Sequence, residues 1–111
     1  MTTAQLIRAI EQVETLLPTK ETWTKGELIA KSKNNNITSP WFHDLNCVRC
    51  LYGAVLSASY QYNWPDLLLD EVNEKLNALV SSRFRNYIAF NDADDTKFED
   101  VRALLRQAKE Y

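Results

Sequence analysis

The chain has 111 residues, of which 45% are apolar and 25% charged, and a formal net charge of −2. Those proportions exclude a disordered chain, and the length fits one domain with a real core. Residues 1–60 carry six Lys or Arg against five Asp or Glu, and residues 61–111 carry seven against ten, which argues against a general phosphate-binding surface and for a protein partner with a basic face.

Two glycines and three prolines leave few places for tight hairpins, which favours helices. Met1 to Ile10 lacks the basic start and apolar run of a secretory signal, and no segment reaches the ~20 apolar residues of a membrane span. The two cysteines are therefore expected as reduced thiols. The glycosylation pattern Asn36-Ile37-Thr38 carries no weight without such a signal. A cytoplasmic protein is expected.

In chain order, Leu6, Ile10, Val13 and Leu17 recur at helical spacing between polar residues. They predict an amphipathic helix over 3–17, capped by Thr2 or Thr3 and stopped by Pro18. Thr24-Lys25-Gly26-Glu27 has the Thr-x-x-Glu form of a capping box and predicts a short helix running through Leu28, Ile29 and Ala30. An extended segment is the alternative, given Trp23 and the β-branched neighbours. Lys33-Asn34-Asn35-Asn36 is turn-forming and Ser39-Pro40 breaks the chain again, so residues 31–43 are the longest irregular stretch.

The run from Cys50 to Ala58 is the least charged in the chain. It places Gly53, Ala54 and Ala58 on a predicted central helix over about residues 44–61. A helical glycine costs roughly 1 kcal/mol relative to alanine, so Gly53 is expected where a neighbouring helix's backbone comes close. Asn63-Trp64-Pro65-Asp66 ends this helix and opens the next, proline being favoured in a first turn. Leu68, Val72, Leu76 and Leu79 carry that helix to about Ser82, with Asp66, Asp70 and Glu71 toward its start and Arg83 and Arg85 past its end, as the helix dipole favours. Residues 84–90 fit a short helix or a buried extended segment equally. Asn91 to Asp95 reads as a turn. Thr96-Lys97-Phe98-Glu99 is a second capping box, opening a helix with Phe98, Val101, Leu105 and Ala108 inward. The fold class is all-α: one domain over 1–111, a compact bundle of about five helices around the central one.

His43, Cys47 and Cys50 would share a face if the central helix started early enough, and an imidazole with two thiolates is a partial zinc set. The fourth ligand is missing, and free cysteines commonly fill cores, so no metal site is expected. A redox Cys-x-x-Cys would want a βαβ context that the pattern lacks. Asp92, Asp94, Asp95 and Asp100 do not match a calcium loop, which needs Gly at its sixth position and Glu at its twelfth; Lys97 and Ala103 stand there. The acidic residues suit a helix N-terminus instead. His43 is the one imidazole and has no orienting partner. Nothing completes a catalytic set, and no cofactor is expected. Trp23, Trp41, Trp64, Tyr60 and Tyr62 lie in or beside loops. They either close the ends of the bundle or form an interface, with Trp41 and Phe42 the pair most expected to be exposed.

Trp23 and Gly26, Cys50-x-x-Gly53-Ala54, Phe90-Asn91-Asp92, Thr96, Val101 and Ala108 together resemble a small bacterial and bacteriophage family of unknown function. Its pattern is Trp, Cys-x-x-Gly-Ala, Trp-Asn-Asp and a Thr-opened last helix closed by Ala. Phe90 stands where that family usually has Trp, which keeps the aromatic and loses the indole donor. His43 and Cys47 are not part of the pattern. The resemblance implies a prokaryotic or phage origin and no established activity. It suggests structural roles for Gly53, Ala54, Asn91 and Thr96, with Asn91-Asp92 tying the turn before the last helix to the central helix by local hydrogen bonds.

The functional expectation is a non-enzymatic protein–protein interaction module, a phage or mobile-element accessory factor. It would contact another protein through Trp41 and Phe42 and, secondarily, Asp92, Asp94 and Asp95. The alternatives are a metal- or thiol-dependent protein using His43, Cys47 and Cys50, and a nucleic-acid-binding protein using Arg83, Arg85 and Arg102. Acidic neighbours weigh against the last.

Overall fold

The apolar spacing of the first 17 residues builds α1 (Thr3–Thr15). It is the first of five α-helices in a computed structural model that describes residues 3–25, 29–32, 35–36, 48–80, 82 and 84–110, with the backbone alone at 29–32 and 35–36. The others are α2 (Leu51–Gln61), α3 (Asp66–Leu79), α4 (Tyr87–Asp92) and α5 (Phe98–Glu110). Three short strands, β1 (Ile29–Ser32), β2 (Asn35–Asn36) and β3 (Val48–Arg49), form an antiparallel ribbon in the order β2-β1-β3. A single 3-10 turn covers Lys20–Thr22.

α1 packs on α2, α3 and α5, α3 packs on α5, and α2 also packs on α4. Ile10 and Val13 of α1 meet Ala54, Val55 and Ala58 of α2, Leu68, Val72 and Leu76 of α3, and Val101, Leu105 and Ala108 of α5 in one buried cluster. Leu16 and Leu17 join it from the turn after α1. The far end of α1 is held by polar ties as well. Arg102 Nη1 donates to the carbonyls of Glu14 and Leu17 at 3.3 Å each, satisfying acceptors that a helix end leaves without partners. Lys109 pairs with Glu14 at 2.7 Å, and Trp64 Nε1 donates to Gln12 Oε1 at 2.6 Å.

The central helix starts later than its sequence suggests. Val48 and Arg49 are in β3, paired with Ala30 and Ile29, and Cys50 is the N-cap of α2 with extended backbone, its Sγ accepting from Gly53 N at 3.2 Å. Cys50 therefore stands at the cap of α2 and not within its helical turns. The end of α2 is a Schellman motif: Trp64 N donates to Ser59 O at 2.9 Å and Asn63 N to Tyr60 O at 3.4 Å. Asn63 occupies the left-handed position at φ 53°, which asparagine tolerates better than most residues.

The segment after Thr24 is also not the helix expected. Ile29 and Ala30 lie in β1, Trp23 bridges Arg49 in parallel, and the Thr24 amide donates to Arg49 O at 3.0 Å, so edge pairing with β3 takes the place of a capped helical turn. Residues 84–90 resolve as the entry to α4, whose N-cap Asn86 accepts from Ala89 N at 2.9 Å. Asn91 and Asp92 are thus the last turn of α4 and not part of a loop. The expected Thr96 cap moves by one residue: Lys97 N donates to Asp100 Oδ2 at 2.9 Å, half of a capping box whose acid is Asp100 and not Glu99. Pro65 is the N-cap of α3, one place before the first turn. Among the described residues the helix count is five, with α4 in place of the helix expected at 24–30.

Gly53 is buried in the first turn of α2. Ser57, one turn on and on the same side, accepts from Arg49 Nε at 3.0 Å, and Arg49 is fully buried. The arginine side chain thus reaches from β3 to α2 at Ser57. The expectation at Gly53 was the close approach of a neighbouring helix's backbone; the position is buried.

Gly53→Leu should overpack this side and destabilise the fold by about 1–3 kcal/mol in a urea melt. A loss below about 0.5 kcal/mol would mean the space is open. Ser57→Ala removes an acceptor from a buried cation and should cost about 1.5–3 kcal/mol by the same measurement.

Candidate functional site

The start of α2 and the end of α4 are joined by one carboxamide. Asn91 is buried, and its Oδ1 accepts from the first amide of α2, Leu51 N, at 3.0 Å and from Trp23 Nε1 at 2.6 Å. Its Nδ2 donates to Thr24 O at 3.2 Å and to Asp92 Oδ1 at 3.0 Å. Two of the amide donors that a helix N-terminus leaves without intrahelical partners are met this way, Leu51 N by Asn91 and Gly53 N by Cys50 Sγ.

Trp23 is fixed on that hub, and its ring leans on Phe98 at the start of α5, with centroids 6.1 Å apart and planes at 47°. Lys25 Nζ stands 5.6 Å from the Trp23 ring centroid, within cation–π reach. The same ammonium donates to Ala93 O at 2.5 Å and Asp94 O at 3.4 Å, the carbonyl end of α4, where a cation is favoured. Between these groups lies an open groove of about 460 Å³. Trp23, Phe98 and Thr96 line it, with Lys20, Lys25, Lys97 and Glu99 around them. Both aromatic rings are half-buried, while Lys20, Lys97 and Glu99 are exposed. Among the described residues the groove holds three ammonium groups, a carboxylate, a hydroxyl and two aromatic faces, with no nucleophile hydrogen-bonded to a base.

The buried titratable groups nearby are held in their neutral forms. Burial pushes the Cys50 thiol up, and the charge of Asp92 adds to this, against amide donors such as Gly53 that pull it down. Burial likewise pushes the Tyr87 phenol far up, and its hydroxyl donates to Asn73 Oδ1 at 2.5 Å. Neither group is a poised nucleophile near neutral pH.

Of the residues singled out in the sequence, Trp41, Phe42, His43 and Cys47 lie outside the described residues. Gly53 and Ala54 are buried in α2, and Thr96 is buried at the groove. Asp92 ends α4, while Asp94 and Asp95 are exposed on the turn before α5. These three carboxylates do not line the groove. Among the described residues no three His, Cys, Asp or Glu side chains gather to hold a metal ion, and no helix is long and apolar enough to cross a membrane. Trp64 is half-buried against α1, whereas Tyr60, Tyr62 and Leu67 are exposed around the α2–α3 corner. The groove itself was not read from the sequence. Trp23-x-Lys25 and Lys97-Phe98 each set a lysine beside an aromatic ring, and that was the one available signal.

A family of unknown function, DUF6197, has a model that matches residues 1–111, and the chain belongs to that family. No curated protein and no solved structure matches it.

Asn91→Leu keeps the volume roughly and strands Leu51 N and Trp23 Nε1. Each stranded donor should cost about 1–3 kcal/mol in a denaturant melt, with the tryptophan emission altered in the folded state. A total loss below about 1 kcal/mol would show that the carboxamide is replaceable. Cys50 and Tyr87 bind their protons more tightly folded than unfolded. Their contribution is therefore complete below the unfolded-chain values, roughly pH 8.5–10, and is lost as pH rises beyond them. Stability followed by chemical denaturation from pH 7 to 11 should fall across that alkaline window; a flat or rising profile would contradict the burial of both groups.

Proposed function

We propose, for this member of a family of unknown function, a non-enzymatic protein-interaction module of the cytoplasm that docks its partner in the Trp23–Phe98 groove. One observation carries the reading: two aromatic rings, each partly open to solvent, stand beside three lysines with no reactive pair among them. Aromatic centres inside a polar rim are the anatomy of binding hot spots. The rings are already in place, Trp23 through its bond to Asn91, so little ordering cost attaches to contact with them. A setting as a phage or mobile-element accessory factor rests on the sequence resemblance alone. Trp41 and Phe42, and the acidic turn at Asp94 and Asp95, belong to the proposal as further contacts.

The alternatives have less behind them. Cys50 is occupied as a helix cap and buried, which works against a thiol reading with Cys47 and His43. Arg102 is engaged on the carbonyls that end α1, which works against its use on nucleic acid.

The test pairs the natural chain with Lys20→Glu/Lys97→Glu, two exposed sites whose exchange should leave the melting temperature within about 2 °C. A partner recovered by the natural chain at near-stoichiometric yield, then purified and titrated, should bind the double variant at least tenfold more weakly. Recovery of no such partner, or equal binding by the variant, would remove the groove as a docking site.

A further inference from the structure

We infer that the occupant of the groove is an acidic peptide segment carrying an apolar or aromatic side chain, an inference that rests on the docking reading above and names its partner class. The argument is one of local against global charge. The chain as a whole is net negative at −2, yet among the described residues the groove has three lysines and one glutamate. An acidic segment is drawn to this local excess of cations, which steers encounter and fixes register.

The groove's cations differ in kind. Lys20 and Lys97 are exposed and free to follow a ligand carboxylate. Lys25 is held over Trp23 by the carbonyls of Ala93 and Asp94, so its charge is presented at a fixed place. Of the three donors of an ammonium those carbonyls use two. A carboxylate approaching Lys25 brings its neighbouring side chain over the Trp23 and Phe98 rings, where apolar surface is buried at about 25 cal/mol per Å². A wholly acidic segment would leave the rings wet, and a wholly apolar one would leave the lysines unmatched. The volume, about 460 Å³, lies in the range of side-chain and small-ligand sites, and its open form admits a chain passing through it.

The experiment uses three labelled short peptides on the full chain: Asp/Glu around a central Leu-Phe pair, the same acids around Ser-Gly, and Lys around Leu-Phe. Binding is read by fluorescence anisotropy and by amide shift mapping. The expected result is saturable binding of the first peptide, with shifts at residues 20–25 and 96–99. Its affinity should fall at least tenfold between about 0.05 and 0.3 M NaCl and at least tenfold in Lys20→Glu/Lys97→Glu. The acidic Ser-Gly peptide should bind at least tenfold more weakly than the first. Equal or tighter binding of the lysine peptide at the same residues would overturn the acidic class and leave the docking reading standing. Shifts confined to the Tyr60–Leu67 corner, or no binding of the first peptide at millimolar concentration, would overturn it too. In those cases the fate of the docking reading is decided separately by the purified partner and the double variant.

Discussion

A single buried carboxamide holds the arrangement of this protein's polar interior. Asn91 accepts twice and donates twice, and its four partners come from four places: the indole of Trp23, the carbonyl of Thr24, the first amide of α2 and the carboxylate of Asp92. No other short side chain offers two donors and a two-fold acceptor in one plane. With Cys50 capping the third helical position of α2, Trp23, the Cys50–Gly53 turn and Asn91-Asp92 become one constellation in space. Its members stand 68 and 40 residues from Asn91, and the bond from each is what gives the spacing its meaning. Further along α2, the Arg49 side chain reaches Ser57.

That constellation also explains why the groove exists. Trp23 cannot fold away into the core, because its ring nitrogen is committed to Asn91. Lys25 cannot swing free, because the end of α4 holds its ammonium. The charge at the groove is then a local property, distinct from the acidic balance of residues 61–111.

Most of the helical framework was legible in the sequence. Ile10, Val13 and Leu17, then Leu68, Val72 and Leu76, then Val101, Leu105 and Ala108 are buried as their spacing indicated, because amphipathic periodicity is a local signal of a global face. The corrections fall where local chemistry was overruled by pairing at a distance. Thr24 has the form of a helix cap, but its amide goes to Arg49 O. Val48 and Arg49 read as the first turn of the central helix and instead pair with β1. Phe98, expected to face inward, is half-buried: it packs against the core cluster, and its ring also meets Trp23 beside the groove. The candidate site was the least legible part. Lys25 and Ala93 are 68 residues apart, and no pattern in either segment announces the other.

The way α1 is held has a consequence for how the chain acquires its shape. α5 packs on α1, and the last turn of α1 is bonded to Arg102 and Lys109. α1, made before the other helices of the bundle, thus lacks one of its main neighbours until α5 has cleared the ribosome. Contacts spanning 85 and 88 residues give the bundle a closure step that local helix formation does not supply. Until then the apolar stripe of α1 is open to other surfaces, so this stage of synthesis is when the chain has most need of a chaperone.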